Sequence, residues 1–213
     1  MPAWLKNNAL SLVLLGFFAV FLVLQAVFGL EVHNAERMEE GKSALTMAAY
    51  LRSGAFVSAT FENWESEFLQ MGMYVLLTVW LRQKGSAESR PLDPSQEQPR
   101  IDPGPKPWPV RRGGIWRKLY SQSLSGALFV LFALSFFAHL WGSWNRAIDT
   151  EEVAPGTSLL AYLGESEFWF ESMQNWQSEF LAVFALVVLS IFLRQKDSPE
   201  SKPVEAPHSQ TGD

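Results

Sequence analysis

The chain has 213 residues, 48% of them hydrophobic, with a formal charge of −5 and no cysteine. The missing thiol excludes disulfides, a thiolate nucleophile and any cysteine-held metal or iron–sulfur centre. The average hydrophobicity is that of a globular protein, but the apolar residues are bunched into a few long runs.

Residues 9–30 carry no charge and only Ser11 and Gln25 as clearly polar members. A hydrocarbon core about 30 Å thick needs roughly 20 helical residues, so this run predicts a first membrane-crossing helix. Its length exceeds a signal-peptide core and no small-x-small site follows Phe28, so it reads as uncleaved. An acidic loop comes next, with Glu31, Glu36, Glu39 and Glu40. There Ser43 is the expected cap of a short helix over 44–51, and Ser53 the cap of a stretch running from Gly54 into the membrane. The apolar run 68–81 is only about 14 residues, roughly 21 Å of helix, so a spanning helix must reach back to Asn63 to gain about 28 Å. Pro91, Pro94, Pro99, Pro103, Pro105, Pro107 and Pro109 then fall among polar residues. Proline lacks the amide donor and restricts its predecessor, which predicts an extended linker. Gly113-Gly114 reads as a hinge, and Arg117 and Lys118 as attractors of anionic lipid headgroups. The run 124–141, interrupted by Ser125, Ser135 and His139, predicts a third crossing. Short interfacial helices are expected over 158–163 and 165–173, a last crossing over 180–193, and a tail of linker-like composition after it.

The motif Asn63-Trp64-Glu65-Ser66-Glu67-Phe68-Leu69 returns without a gap as Asn175-Trp176-Gln177-Ser178-Glu179-Phe180-Leu181. Leu81–Lys84 and Leu193–Lys196, Trp4 and Trp116, Lys6 and Lys118, and Tyr50-Leu51 and Tyr162-Leu163 keep the same offset. Such self-similarity marks one unit written twice. The expected organisation is a first two-helix repeat over 1–84, a Pro-rich linker over 85–112, a second repeat over 113–196 and a disordered tail over 197–213. The fold class is all-α, with four transmembrane helices in two tandem hairpins. Two crossings per copy make the copies parallel-related, about an axis along the membrane normal.

Lysine and arginine fix the orientation. Lys6, Arg82, Lys84, Arg90, Arg100, Lys106, Arg111, Arg112, Arg117, Lys118, Arg194, Lys196 and Lys202 share the side of the termini and linker, against Arg37, Lys42, Arg52 and Arg146 on the other. By the positive-inside rule the termini and linker of this multi-pass chain are cytoplasmic and its two long loops are exported. Trp4 and Trp116 are expected inner-interface anchors, Trp64 and Trp176 outer ones.

Short second and fourth helices would place Glu67 and Glu179 near the hydrocarbon boundary. With Asn63, Asn175, His139 and Gln25 they form a candidate intramembrane polar cluster. An ionisable group at that depth faces protein, faces water or is protonated. Three readings stand: acids in a first helical turn favoured by the helix dipole, an interhelical hydrogen-bond network, or proton and cation handling. His139 reads as an interhelical hydrogen bonder. The pairs Glu39-Glu40 and Glu151-Glu152 read as solvated loop charge. No phosphate loop, HExxH, GxSxG or basic-aromatic groove is present, so no catalytic residue, cofactor, metal or nucleic-acid partner is expected. The expected partners are membrane lipids and a second copy or another membrane protein.

The two NW-x-SEF motifs, each followed by an LRQK exit, together with the WLKNNALSL opening, resemble an uncharacterised bacterial integral-membrane family. That family is a domain of unknown function with the same duplicated four-helix layout. The resemblance implies a bacterial inner-membrane location and carries no activity. A non-enzymatic structural or interaction role in the envelope is the leading expectation, and a small transporter or channel using Glu67 and Glu179 the alternative. Reporters fused after Lys84 or at the C-terminus should behave as cytoplasmic and those inserted near Gly41 or Gly156 as exported; the reverse pattern would invert the topology.

Overall fold

The computed structural model describes residues 2–97 and 101–212; Pro99 and Arg100 of the linker, Met1, Gln98 and Asp213 lie outside the described residues. The helices are α1 (Ala3–Asn7), α2 (Ala9–Glu39), α3 (Met47–Tyr50), α4 (Gly54–Trp80), α5 (Trp108–Arg112), α6 (Gly114–Ser121), α7 (Ser123–Asp149), α8 (Leu159–Tyr162) and α9 (Ser166–Phe192). No strand is found among the described residues.

Three helices, α2, α7 and α9, are long and apolar enough to cross a membrane. At 27 residues α4 equals α7 and α9 in length, but Glu62, Asn63, Glu65, Glu67 and Gln70 dilute its apolar character. The start and end of α4 and α9 keep the offset that relates Asn63 to Asn175. Both begin well before those asparagines and reach about 40 Å. Both helices thus run back through Asn63 and Asn175, as the shortness of their apolar runs led one to expect.

Local chemistry sets the boundaries. α2 ends where Gly41 takes a positive φ of 74°, letting Gly41 and Lys42 donate back to Met38 and Arg37. The cap of α3 is Thr46, whose hydroxyl accepts from Ala49 at 3.3 Å, not Ser43, and the helix is one turn rather than 44–51. The reason is Asn34 on α2, which grips both backbone groups of Leu45, at 2.7 and 3.0 Å, and holds the preceding chain extended. Ser158 caps α8 in the same way through Ala161, and Ser53 caps α4 through Phe56.

The chain forms two compact units: Met1–Phe61 with Ala138–Glu165, and Glu62–Phe137 with Ser166–Asp213. In the first, the start of α4 lies directly on the end of α7. A Cβ at Gly54 would strike the backbone of Gly142 and Arg146, and one at Gly142 the backbone of Ser58. Small residues let two backbones approach this closely, the usual contact between helices in lipid. The one-turn helices fold back over the long ones. The Tyr50 ring of α3 covers Gly29 on α2, and Tyr162 of α8 shares a 2.7 Å hydrogen bond with Ser143 of α7. Gln25 of α2 donates to Thr60 of α4 at 3.2 Å.

In the second unit, Gly72 of α4 accommodates Leu128 and Phe129 of α7, and Phe132 and Phe136 of α7 meet Phe168, Trp169 and Trp176 of α9 edge-on or tilted. Beyond the helices, Arg82 and Arg194 each return one guanidinium nitrogen to three carbonyls of the preceding turn. Residues 85–97 fold back on α4, since Glu97 binds both Arg82 and Arg90. The tail folds back too. The Lys202 ammonium is buried among the carbonyls of Gly85, His208 and Gln210, while burial and the charge of Arg194 press its pKa downward.

Replacing Gly142 by leucine should separate α4 from α7 and cost more than about 3 kcal/mol, since backbone rather than a flexible side chain blocks the new group. Gly16→Leu, where a Cβ meets nothing, should be neutral. Detergent thermal unfolding of the two variants checks this, and equal stability would refute the close approach.

Candidate functional site

The buried positions of α4 are Gly54, Ser58, Thr60, Glu65, Ser66 and Gly72. Ser58, Glu65 and Gly72 repeat every seven residues, nearly two turns, and so share one face. That stripe, in which small Ser58 and Gly72 flank Glu65, and not the i, i+4 pair Asn63 and Glu67, marks the covered side of α4.

Within the second unit the covered face meets α9 through polar bonds. Trp176 donates its indole N–H to Glu65 at 3.0 Å, and Glu65 is fully buried. Asn175 donates to the Glu62 carboxylate and to the backbone carbonyl of Glu171 at 3.3 Å. The carboxylates of Glu62 and Glu171 lie within 4.8 Å of one another. An indole has one donor and no acceptor, so its pairing with a carboxylate is complementary, and a charge-assisted bond is stronger than a neutral one.

The expected cluster is only partly assembled. Asn63 and Glu67 are exposed on α4. Glu179 is half-buried and close enough to Glu67 for their charges to interact. Asn175 joins the seam, but through Glu62. Gln25 joins Thr60 in the first unit, and His139 is fully buried there. Of the expected anchors, Trp4 and Trp116 are exposed, and Trp64 and Trp176 are half-buried, the latter donating to Glu65 of α4.

Ser172 is buried with no hydrogen-bond partner. It holds the α9 position that Thr60 holds on α4, and the residue at the matching offset from Gln25 is Phe137, which brings no donor. The bond that Gln25 gives to Thr60 thus has no counterpart at Ser172.

A second feature lies wholly within the first unit: a cavity of about 720 Å³ whose lining includes Gln25, His33, Glu36, Tyr50, Arg146 and Glu152. Small-molecule sites span about 300–1,000 Å³ and combine apolar walls with a few polar groups. Phe28 and Val32 supply the apolar wall here. His33 lies 3.8 Å from Glu36. Burial, then the charge of Glu36, raises the Tyr50 phenol above its ordinary range. The hydrogen bond from Lys42 to Glu40 at the rim lowers that carboxyl. Reading the sequence missed Glu62, Glu65, Glu171 and this cavity. Seven-residue spacing of small side chains was the available signal for Glu65.

An all-helical chain with three helices able to cross a membrane and a polar seam between helices has the character of an integral membrane protein. It belongs to the family described as Domain of unknown function (DUF6766), whose model matches residues 1–213. No curated protein and no solved structure matches it.

Glu65→Gln should keep an acceptor for Trp176 and cost less than about 1 kcal/mol, whereas Glu65→Leu should cost about 1–3 kcal/mol by stranding the indole donor. Trp176→Phe combined with Glu65→Leu should recover part of that loss. Thermal unfolding of the three variants in one detergent decides; additive losses in the double variant would show that the pair is not coupled.

Proposed function

We propose that the protein is a four-span integral protein of the inner membrane with cytoplasmic termini and linker, built as two tandem hairpins. It acts without catalysis, as a structural or interaction protein of the envelope. The observation that carries this reading is the use made of the polar residues of α4. Glu62 and Glu65 are consumed by bonds to Asn175 and Trp176, the kind of polar contact that holds helices together in lipid. Bonds of this kind also allow α4 to be the fourth span, since they shield the carboxylates that dilute its apolar character. The matching boundaries of α4 and α9 and the equivalent caps at Thr46 and Ser158 support the tandem design. The cavity beside α3 offers a place where a small polar molecule or a partner's side chain would be received.

Proton or cation transport through Glu67 and Glu179 is the competing reading, favoured by their electrostatic proximity. Purified protein in liposomes should pass neither protons nor monovalent cations above empty vesicles, and Glu67→Gln and Glu179→Gln should insert and unfold like the parent. A flux present in the parent and abolished by either substitution would replace the structural reading with transport.

A further inference from the structure

The segment ahead of α7 carries Lys106, Arg111, Arg112, Arg117 and Lys118, with no acidic residue from Pro103 to Ser123, in a chain whose net charge is −5. Helices α5 and α6 meet at Gly113, whose φ of 70° turns the chain. The turn brings Trp108 and Trp116 edge to face with ring centroids 5.3 Å apart, and Arg112 lies over Trp108 at 5.5 Å. On α6, Ile115, Trp116, Leu119 and Tyr120 recur at i, i+1, i+4 and i+5 and so line one side, with Arg117, Lys118 and Ser121 on the other. The apolar side is uncovered: Ile115 is 61% exposed and Leu119 58%.

We propose that this elbow is a binding surface for anionic lipid headgroups of the leaflet that α7 enters. The inference rests on the membrane reading above and adds a lipid specificity to it. Two observations select lipid over a soluble acidic partner. Only Gln122 separates α6 from α7, a helix able to cross a membrane, so the elbow stands at the lipid surface. A phosphate-bearing soluble ligand would use the cations, but four large apolar side chains beside them fit an acyl boundary, where basic side chains reach up to the headgroups along their own stems. The corresponding segment of the first half keeps the tryptophan and one cation, Trp4 and Lys6, but has Leu5, Asn7 and Asn8 where the second has Arg117, Leu119 and Tyr120. Membrane anchoring in general needs only what both halves share. The added charge and apolar surface of α6 belong to a further task.

The chain has no cysteine, so Ile115→Cys gives the full-length protein a single site for an environment-sensitive fluorophore. The labelled protein is placed in lipid nanodiscs of phosphatidylcholine alone or with roughly a third phosphatidylglycerol. Emission should shift to the blue and resist iodide quenching in the anionic discs, and these effects should weaken as salt rises. Inorganic phosphate added to the neutral discs should not reproduce them. Lipid retained through purification should favour phosphatidylglycerol by on the order of tenfold. Replacing Arg111, Arg112, Arg117 and Lys118 together by serine should remove that preference, while replacing the three arginines by lysine should keep most of it. Equal emission in both kinds of disc by inserted protein would overturn the lipid surface alone, and so would a response to free phosphate or to an acidic polymer without lipid. Failure of the chain to enter discs of either composition would overturn the membrane reading and this inference together.

Discussion

Glu65 is fully buried, and a carboxylate taken out of water must be given hydrogen-bond partners or lose its charge. That requirement organises the middle of the molecule. The Trp176 indole meets it from α9, which fixes one side of α9 against α4 and turns the Trp176 ring onto Phe132 of α7. Three helices are thus oriented around one bond. Close packing by Gly54, Ser58 and Gly72 supplies contact area but no direction. The carboxylate supplies the register, because a slip of α4 by one residue would bring Ser66 or Trp64 to the indole and leave Glu65 without its donor.

Much of the fold was legible in the sequence. The long apolar runs became α2, α7 and α9, and Ser53 caps where helix-start chemistry places it. What failed was the face of α4. Asn63 and Glu67 stand four apart and look like one functional edge, yet both are exposed. The covered face is set by the close approach of backbones at Gly54 and Ser58 and by buried Glu65. Glu65 lies about 200° around the helix from Glu67, so choosing one face necessarily lost the other. Asn34 illustrates a second limit: its two hydrogen bonds with the Leu45 backbone hold the chain ahead of α3 extended, so that Thr46 and not Ser43 is the cap, a tertiary contact that no local pattern announces.

The two halves differ where chemistry was added or lost. Glu65 is matched by Gln177, which is exposed and donates only to its own helix at Gln174. Gln25 and Thr60 are bonded, whereas Phe137 and Ser172 cannot be, and the serine is left orphaned. Gly85 has a φ of 86° and Asp197 one of 64° at the matching position, a left-handed conformation that glycine adopts freely and aspartate at a cost. In the last two pairs the first half keeps the satisfied or unstrained version.

That asymmetry bears on how the ends of α4 and α9 are tied. Gly85 cannot become a larger residue, because a Cβ there would meet the His208 carbonyl and Ile191. The space it leaves is filled by the chain's own tail. Thr211 accepts from the Gly85 amide at 2.9 Å, Gly212 donates to Ser86 at 3.0 Å, and the Lys202 ammonium takes the Gly85 carbonyl. Ser86 in turn shares its hydroxyl with Ser190 of α9 at 3.0 Å. The segments that leave α4 and α9 are therefore bound to each other through the backbone of Gly85 and Ser86 and the side chains of Thr211, Lys202 and Ser190. A stretch whose sequence promises no regular structure can thus be ordered by partners from the far end of the chain. The tail thus supplies partners to Gly85 and Ser86 beside the direct bond between Ser86 and Ser190 of α9.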